Sequence, residues 1–261
     1  MAKKESEKFI DSNVFEGMTS ISALIKAIRQ GNNDRKINKI LFDSAKIKSK
    51  RPELNFLNAV SSELGFEVEL CDSETISHFT VGNTHGGIIA LCTDRIIQNL
   101  SADKIDPDGI YFMLEGVEDP YNFGNAIRSL YASGVNGIIV TDRNWLGAAG
   151  VVSRASAGTS ELIDIYKVSD CADAVMIFKQ LGYTVACAGI RDSVDLFETD
   201  LDKPLFMIIG GEKRGISRAV LDMADKIVRI NYGNSFNGSL SASASAAVFA
   251  FEIFRKNHYY K

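Results

Sequence analysis

Short apolar runs and polar stretches alternate over the first 98 residues, a pattern that predicts a small α/β domain. One stretch has the spacing of an amphipathic helix, and one strand alternates apolar with polar residues. The predicted elements are strands Ile37–Phe42, Phe66–Leu70 and Ile88–Cys92 and helix Glu53–Leu64. The polar stretch that follows contains turn formers. We therefore predict a first domain over residues 1–98 and a linker over 99–106.

Residues 107–261 follow a different pattern, in which a short apolar strand leads into a polar loop and, in most cases, a helix. This alternation predicts a mainly parallel sheet with helices on both faces. In such sheets the chemistry gathers at the carboxyl ends of the strands. The predicted strands are Ile110–Leu114, Gly137–Val140, Leu162–Tyr166, Thr184–Ala188, Leu205–Ile209 and Ile227–Ile230, and the predicted helices include Asn125–Ser133, Ala172–Leu181 and Ser241–Lys256.

Composition narrows the class of protein. Hydrophobic residues make up 46% and charged residues 24% of the 261 positions, which is usual for soluble globular proteins. Residues 1–8 are charged and no long apolar stretch follows them, so the sequence predicts neither a secretory signal nor a membrane span. The 4 cysteines are scattered singly, unlike a zinc site or a disulfide scaffold. We therefore expect a cytoplasmic protein without a bound metal.

The charge is distributed unevenly along the chain. The net charge is −4, whereas residues 1–60 carry 12 Lys and Arg against 7 Asp and Glu. Within this basic part, Lys46, Lys48, Lys50 and Arg51 lie in a stretch that predicts an exposed loop. A short basic run is usually only solvated surface. It becomes a candidate RNA contact if other features of the chain indicate RNA.

Two loops of the second domain carry polar residues next to predicted helices. The first holds Asn122 and Arg128, which could be no more than a helix cap and a surface cation. The other, residues 231–247, enters a helix whose first turns hold almost only Ser and Ala. Ser239 and Ser241 there could likewise be only caps.

A third loop, residues 210–217, contains glycines that permit a tight turn or the close approach of a ligand. A phosphate-binding P-loop would need Lys after Gly215, where the chain has Ile216. The dinucleotide fingerprint would need glycine where the chain has Glu212. A plain strand-to-helix turn remains an alternative for this loop by itself.

Taken together and in order, the three loops resemble the motifs of the SpoU/TrmH methyltransferases. These motifs are Asn-x-Gly-x-x-x-Arg, Gly-x-Glu-x-x-Gly, and Ser-Leu-Asn before a helix of small residues. The matching residues are Asn122, Gly124 and Arg128, then Gly210, Glu212 and Gly215, then Ser239 and Leu240. The chain departs from the family at Ser241, where Asn is usual, and at His85-Gly86-Gly87, where His-Gln-Gly is usual.

The resemblance implies a fold and an activity. It implies a second domain with a trefoil knot, a first domain similar to ribosomal protein L30e, and a homodimer. It also implies transfer of a methyl group from S-adenosylmethionine to a ribose 2′-hydroxyl of RNA, with ribosomal RNA favoured over transfer RNA. The residues implied to hold the cofactor are Gly210, Gly211, Ile230 and Leu240.

The resemblance further implies roles for four catalytic residues. Arg128 would activate the hydroxyl, and because a guanidinium stays protonated we favour its holding a phosphate and stabilising the developing alkoxide. Asn122 and Glu212 would orient Arg128 or the ribose, and Ser239 would support that network. A non-catalytic RNA-binding protein on the same fold is the alternative, motivated by Ser241 and by the altered His85 motif.

Overall fold

The computed structural model describes residues 13–80, 84–141 and 148–259. The charged segment 1–8, which contributes to the expectation of no secretory signal, lies outside them. The chain divides into two compact units. The first takes in the described residues up to Ile96 together with residues 148–161, and the remainder forms the second. The stretch 99–106, which we expected to be a linker, falls within the second unit.

The first unit is built on a four-stranded sheet. Its elements are β1 (Val14–Glu16), α1 (Gly17–Arg29), β2 (Ile37–Asp43), α2 (Arg51–Leu64), β3 (Glu67–Cys71), α3 (Ser73–Phe79), β4 (Ile88–Cys92) and α5 (Ala149–Ala155). The strand order is β1-β4-β2-β3. Strands β2 and β3 are parallel, and β4 is antiparallel to both β1 and β2.

Successive residues of β2 point into two different cores, as the twofold period of a strand requires. Ile40 and Phe42 pack with the apolar residues of α1 and α2. Leu41 packs with Ile76 of α3 on the other face. Helices therefore cover both faces of this small sheet.

Residues 148–161 are anchored within the first unit by charge and by close packing. Arg154 Nη1 lies 2.9 Å from Glu16 Oε2. Gly158 has φ +82°, and a Cβ at this position would lie 2.4 Å from the Cβ of Ala23 in α1. A larger residue at position 158 would therefore be strained and would also clash with α1.

The second unit is built on an eight-stranded sheet. Its elements are β5 (Gln98–Asn99), β6 (Ile110–Glu115), α4 (Pro120–Ala132), β7 (Gly137–Thr141), β8 (Asp164–Val168), α6 (Cys171–Gln180), β9 (Thr184–Ala188), β10 (Val194–Asp195), β11 (Leu205–Gly210), α7 (Arg218–Met223), β12 (Lys226–Arg229) and α8 (Ala242–Tyr259). The strand order is β10-β12-β9-β11-β6-β7-β8-β5. All the neighbouring strands pair in parallel.

Strand β11 lies between β6 and β9 and is buried over Leu205–Ile209. An uninterrupted apolar run is what a central parallel strand requires, because helices cover both of its faces. Helices α6 and α7 contribute to one core, in which Phe178 stacks on Phe206 with ring centroids 3.9 Å apart. Helices α4 and α8 pack against each other.

The predicted α/β class with a large, mainly parallel sheet is confirmed, and most predicted elements are present. Several boundaries were wrong: α4 begins at Pro120 rather than Asn125, α2 begins at Arg51 rather than Glu53, β8 begins at Asp164 rather than Leu162, and α8 ends at Tyr259 rather than Lys256. Helix α1 was not predicted, although its apolar residues recur at helical spacing. The knot and the likeness to L30e stay predictions.

None of the helices among the described residues combines the length and the apolarity that a membrane span requires.

We expect Arg35→Met to destabilise the first unit by about 3–5 kcal/mol, because it would leave a buried carboxylate without its cation. Arg35 Nε lies 3.2 Å from Glu161 Oε2, and both side chains are 4% exposed. Urea unfolding would measure the change. Lys179→Met is the control, since its partner Asp225 is 42% exposed and such a surface pair contributes at most about 1 kcal/mol. Equal, small losses in both variants would contradict this prediction.

Candidate active site

The loops that follow β6 and β11 leave the sheet side by side. Gly210 is in register with Glu115 at the carboxyl ends of these strands. One residue later, Gly211 N–H donates to Glu115 O at 2.7 Å. A Cβ on Gly211 would lie 2.1 Å from Gly116 O. The two backbones therefore touch, and no residue larger than glycine fits at position 211.

The loop after β11 closes on itself within five residues. Gly215 N–H donates to Gly211 O at 2.9 Å, and Gly215 has φ +65°. A Cβ on Gly210 would come within 2.5 Å of Gly215 C. Close backbone contacts thus explain why glycine is required at these positions, without any ligand. The resulting narrow turn fixes the position of Glu212.

Glu212 connects this turn to the two helices that pack on each other. Asn122 Nδ2 of α4 donates to Glu212 Oε1 at 2.9 Å. Ser243 Oγ, in the first turn of α8, donates to Asn122 Oδ1 at 3.3 Å. Asn122 therefore uses both ends of its amide to join residues that are widely separated in the chain.

Asp119, rather than Asn122, caps α4, which corrects our expectation for the start of this helix. Asp119 Oδ2 accepts from Asn122 N at 3.0 Å, and Pro120 occupies the first turn, where its missing N–H costs nothing. Because Asn122 is not needed as the cap, its side chain is available for the contacts with Glu212 and Ser243.

A pocket of about 270 Å³ opens beside this network. This volume is near the lower end of small-ligand sites, which span about 300–1,000 Å³. The pocket is lined by Gly116, Val117, Glu118, Asp119, Asn122, Glu212, Lys213 and Ala242. Three carboxylates against one lysine make the lining acidic, and Lys213 Nζ lies 3.3 Å from Glu118 Oε2.

The loop before α8 holds its serines in different environments. Ser241 Oγ accepts from Ala244 N at 3.2 Å and lies 3.0 Å from Ser243 Oγ, so Ser241 caps α8 and also touches the network. Ser239 is exposed. Within the described residues Ser239 makes no hydrogen bond to Asn122 or Glu212. The hydroxyl that reaches Asn122 belongs to Ser243, which we did not predict.

The backbone around Ile230 is held by a polar network at the ends of β10 and β12. Arg229 Nε donates to Asn231 Oδ1 at 2.8 Å, and its Nη1 donates to Ser193 O. Asn231 Nδ2 in turn donates to Asp195 Oδ2. Ile230 itself is half-buried. The network therefore orders the segment that carries a predicted cofactor contact.

Arg128 lies on a different side of α4 from Asn122. Six residues correspond to about 240° around a helix. Arg128 is exposed and makes no hydrogen bond or ion pair with any described residue. The structure thus brings Asn122 and Glu212 together and does not bring Arg128 to them within this chain.

The described residues hold neither a cluster of metal ligands nor, at the buried Cys187, a reactive thiol. Residues 13–80, 84–141 and 148–259 contain no group of three or more His, Cys, Asp or Glu that could hold a metal ion. Burial, with a smaller contribution from the Glu115 carboxylate, raises the pKa of the Cys187 thiol to about 12. That thiol therefore stays protonated at neutral pH and is a poor nucleophile.

The SpoU rRNA Methylase family matches residues 109–251, more than half of the chain. The chain belongs to this family. A Staphylococcus haemolyticus protein named as a TrmH family tRNA/rRNA methyltransferase is 33% identical over 183 residues, which cover 67% of this chain and 72% of that protein. The resemblance predicted from the three motifs is confirmed.

Solved structures of SpoU and TrmH proteins share the fold. The crystal structure of an RNA 2′-O ribose methyltransferase has a TM-score of 0.75 at 21% identity and covers 96% of this chain and 92% of its own. An AdoMet-bound rRNA methyltransferase from Sinorhizobium meliloti has a TM-score of 0.74 at 22% identity and covers 94% and 88%. At these identities the likeness shows the architecture of the SpoU fold.

We expect Gly211→Ala to disrupt the contact between the two loops of this SpoU chain. The new methyl group would meet a carbonyl oxygen of Gly116 that belongs to the backbone, so the loops must separate and carry Glu212 away from Asn122. The free energy of unfolding should fall by about 1–3 kcal/mol, the usual cost of overpacking. Urea unfolding would test this, beside Lys213→Ala in the same loop.

Lys213 is 82% exposed, so its truncation should change stability by no more than about 0.5 kcal/mol. A stable Gly211→Ala protein would show that the strand ends can separate without cost, contrary to the steric argument.

Proposed function

We propose that the chain transfers a methyl group from S-adenosylmethionine to a ribose 2′-hydroxyl in structured RNA, ribosomal RNA rather than transfer RNA. The observation that carries this proposal is the joining of the first two family motifs through Asn122 and Glu212, with Ser243, from the helix that follows the third motif, on the other side of the Asn122 amide. The names of the similar proteins, which include RNA 2′-O ribose and rRNA methyltransferases, support the same chemistry.

The residues present fit S-adenosylmethionine, which supplies an activated methyl group when bound. The acidic pocket lining suits a positively charged sulfonium. Ile230 and Leu240 are half-buried and leave apolar surface for an adenine ring, and the backbones of Gly210 and Gly211 lie at the strand end between the loops. None of these four residues lines the acidic pocket, so their assignment to the cofactor rests on the family motifs.

Catalysis would depend mainly on position and charge. Arg128, being exposed and uncommitted among the described residues, is available to hold an RNA phosphate bidentately and to stabilise the alkoxide as it develops. Asn122 and Glu212 would orient the ribose through their shared hydrogen bond. Ser239, exposed next to Leu240, would contact the substrate, and Ser243 would keep Asn122 in its rotamer.

The first unit would hold the RNA through its basic loop. Lys46, Lys48 and Arg51 are exposed, and none of them forms an ion pair within the described residues. A Cβ on Gly87 would lie 2.9 Å from Lys46 Cγ, and one on Gly86 would lie 2.9 Å from Lys50 Nζ. The two glycines therefore leave room for the lysine side chains to lie over the His85 turn.

A cytoplasmic homodimer completes the proposal. Tyr121 of α4 is 51% exposed, and Phe251 of α8 is 48% exposed. Large exposed aromatic side chains on two packed helices support a contact with a second copy. The small residues at the start of α8 also favour close helix packing.

Mapping of 2′-O-methylation in total RNA from cells with and without the gene would test the proposal. We expect one or a few ribosomal positions to lose the modification when the gene is absent and to regain it on complementation. Loss of a transfer RNA modification would correct the substrate, and an unchanged methylation map would contradict the proposed activity.

We expect Arg128→Ala to slow methyl transfer at least ~100-fold, the scale of losing one preorganised donor that stabilises charge. Arg128→Lys should recover little, because an ammonium cannot reproduce a bidentate fork. Single-turnover transfer of labelled methyl groups to RNA would measure both. Cofactor affinity should stay unchanged, since Arg128 lies outside the cofactor residues.

Arg218→Ala is the matched control. Arg218 is 84% exposed on α7, and among the described residues its ion-pair partner is Asp222, one turn away. Its loss should leave turnover near the wild-type rate. Near-normal turnover in Arg128→Ala as well would remove the proposed role of Arg128.

We expect neutralisation of Lys46, Lys48, Lys50 and Arg51 to weaken RNA binding and to flatten its dependence on salt. Each lost phosphate contact should reduce the slope of log affinity against log salt by about 0.7–0.9, because fewer counterions are released. Filter binding at several salt concentrations would measure the slope. Cofactor affinity should not change.

A control variant with matched charge is available in the same unit. Lys46→Gln with Lys50→Gln removes two charges, as does Arg29→Gln with Lys39→Gln. Arg29 and Lys39 are already paired with glutamates at 2.5 and 2.6 Å. Their removal should therefore cost no contact with an RNA phosphate. Equal salt slopes for the two pairs would mean that the basic loop is only solvated surface.

A further inference from the structure

Two aromatic rings are exposed in the loop between β12 and α8. Tyr232 is 39% exposed and Phe236 is 57% exposed. Their ring centroids lie 5.6 Å apart at an interplanar angle of 57°, so the rings contact each other and still present open surface. All other positions from 231 to 239 are Asn, Gly or Ser. The two rings are therefore the only aromatic and apolar side chains of residues 231–239, which are otherwise polar or glycine.

The loop holds these rings in place. Tyr232 Oη accepts from Leu240 N at 3.2 Å, which fastens the two ends of the loop together. A Cβ on Gly238 would lie 2.5 Å from Phe236 Cζ, so the backbone of Gly238 lies directly against the ring edge. The exposed surface of Phe236 is thus backed by the chain rather than extended freely into solvent.

The size of this surface argues for a small flat partner. A stable protein interface covers about 800 Å² on each side. An aromatic side chain offers roughly 150–250 Å² in full, and both rings are already partly covered. A nucleobase, in contrast, needs only one ring face, and Asn234 and Asn237 of the same loop carry amide groups of the kind that pair with base edges.

The loop is also close to the candidate active site along the chain. Leu240, at its end, is a proposed cofactor contact, and Ser243 lies in the first turn of α8 and bonds to Asn122. A base held on Phe236 would therefore be bound by the loop that leads directly into α8, the helix that supplies Ser243. Binding of the base would thus take place a few residues along the chain from Ser243, which bonds to Asn122.

We propose that Tyr232 and Phe236 form a stacking site for an unpaired nucleobase of the RNA substrate. The proposal rests on the proposed function for the identity of the substrate and names two residues that bind it. Single-stranded loops and bulges, whose bases can be splayed out, are the RNA elements that such a site takes. Stacking tolerates all four bases, so the site contributes affinity more than sequence selection.

Binding of short probes tests the proposal without any methyl transfer. The probes are oligo(U) and oligo(A) 12-mers and, as a polyanion without bases, inorganic polyphosphate. Phe236→Ala should weaken binding of both oligonucleotides about 5-fold to 150-fold, the range found for one stacked base. Polyphosphate binding should stay at the wild-type level. Phe236→Trp should keep the oligonucleotide affinity, because it keeps a stacking face.

Two further variants separate stacking from a general disturbance of the loop. Tyr232→Phe keeps the ring and removes the hydroxyl that accepts from Leu240 N, so its effect reports on the loop fastening alone. Phe197→Ala is the matched control, since Phe197 is 52% exposed in the same unit but lies outside this loop. Phe197→Ala should bind every probe as the wild type does.

Four results would overturn the proposal. These are unchanged oligonucleotide affinity in Phe236→Ala, an equal loss for polyphosphate, a loss confined to S-adenosylmethionine, and a change in oligomeric mass by light scattering. The third would assign the rings to the cofactor and the fourth to a second copy of the chain. Since no arm measures turnover, a failed methylation assay with a positive stacking result would contradict only the proposed function.

Discussion

Two backbones touch where the loops after β6 and β11 leave the sheet, and the candidate site depends on that contact. Gly211 lies so close to the carbonyl of Gly116 that even one additional carbon atom would clash. This closeness fixes where the narrow turn carries Glu212, and Glu212 in turn meets Asn122. Because the constraint lies between main chains in a close-packed region, neighbouring side chains cannot relieve it by changing rotamer.

Helices α4 and α8 supply Asn122 and Ser243, which form a polar network with the Glu212 held by this backbone contact. Asn122 donates to a carboxylate and accepts from Ser243, so its amide orientation is determined from both sides. Such a shared network holds a side chain in one rotamer, which is what positioning of a reacting hydroxyl requires. Arg128 lies elsewhere on α4, so Asn122 and the cation that we propose for the RNA phosphate occupy different sides of one helix.

The first unit is stabilised by contacts of another kind. A buried ion pair between Arg35 and Glu161 and the close approach of Gly158 to α1 hold residues 148–161 against its sheet. This segment therefore has a packing role inside the first unit. Its glycine is explained by positive φ and crowding, and the explanation needs no contact with RNA or cofactor.

The sequence by itself determined most strands of both sheets, the mainly parallel order of the larger sheet and the order of the motifs, because hydrophobic periodicity and glycine-rich loops are local properties. The identity of the serine that meets Asn122 was decided only by the tertiary structure. The motif indicated Ser239, next to Leu240, whereas Ser243 reaches the amide, since α8 begins at Ala242 and packs on α4. Because Asp119 caps α4, the side chain of Asn122 is likewise free for that contact. The direction of a side chain depends on the phase of its helix and on the elements against which that helix packs. Strands β6 and β11 are far apart in the chain and become neighbours only when the sheet forms.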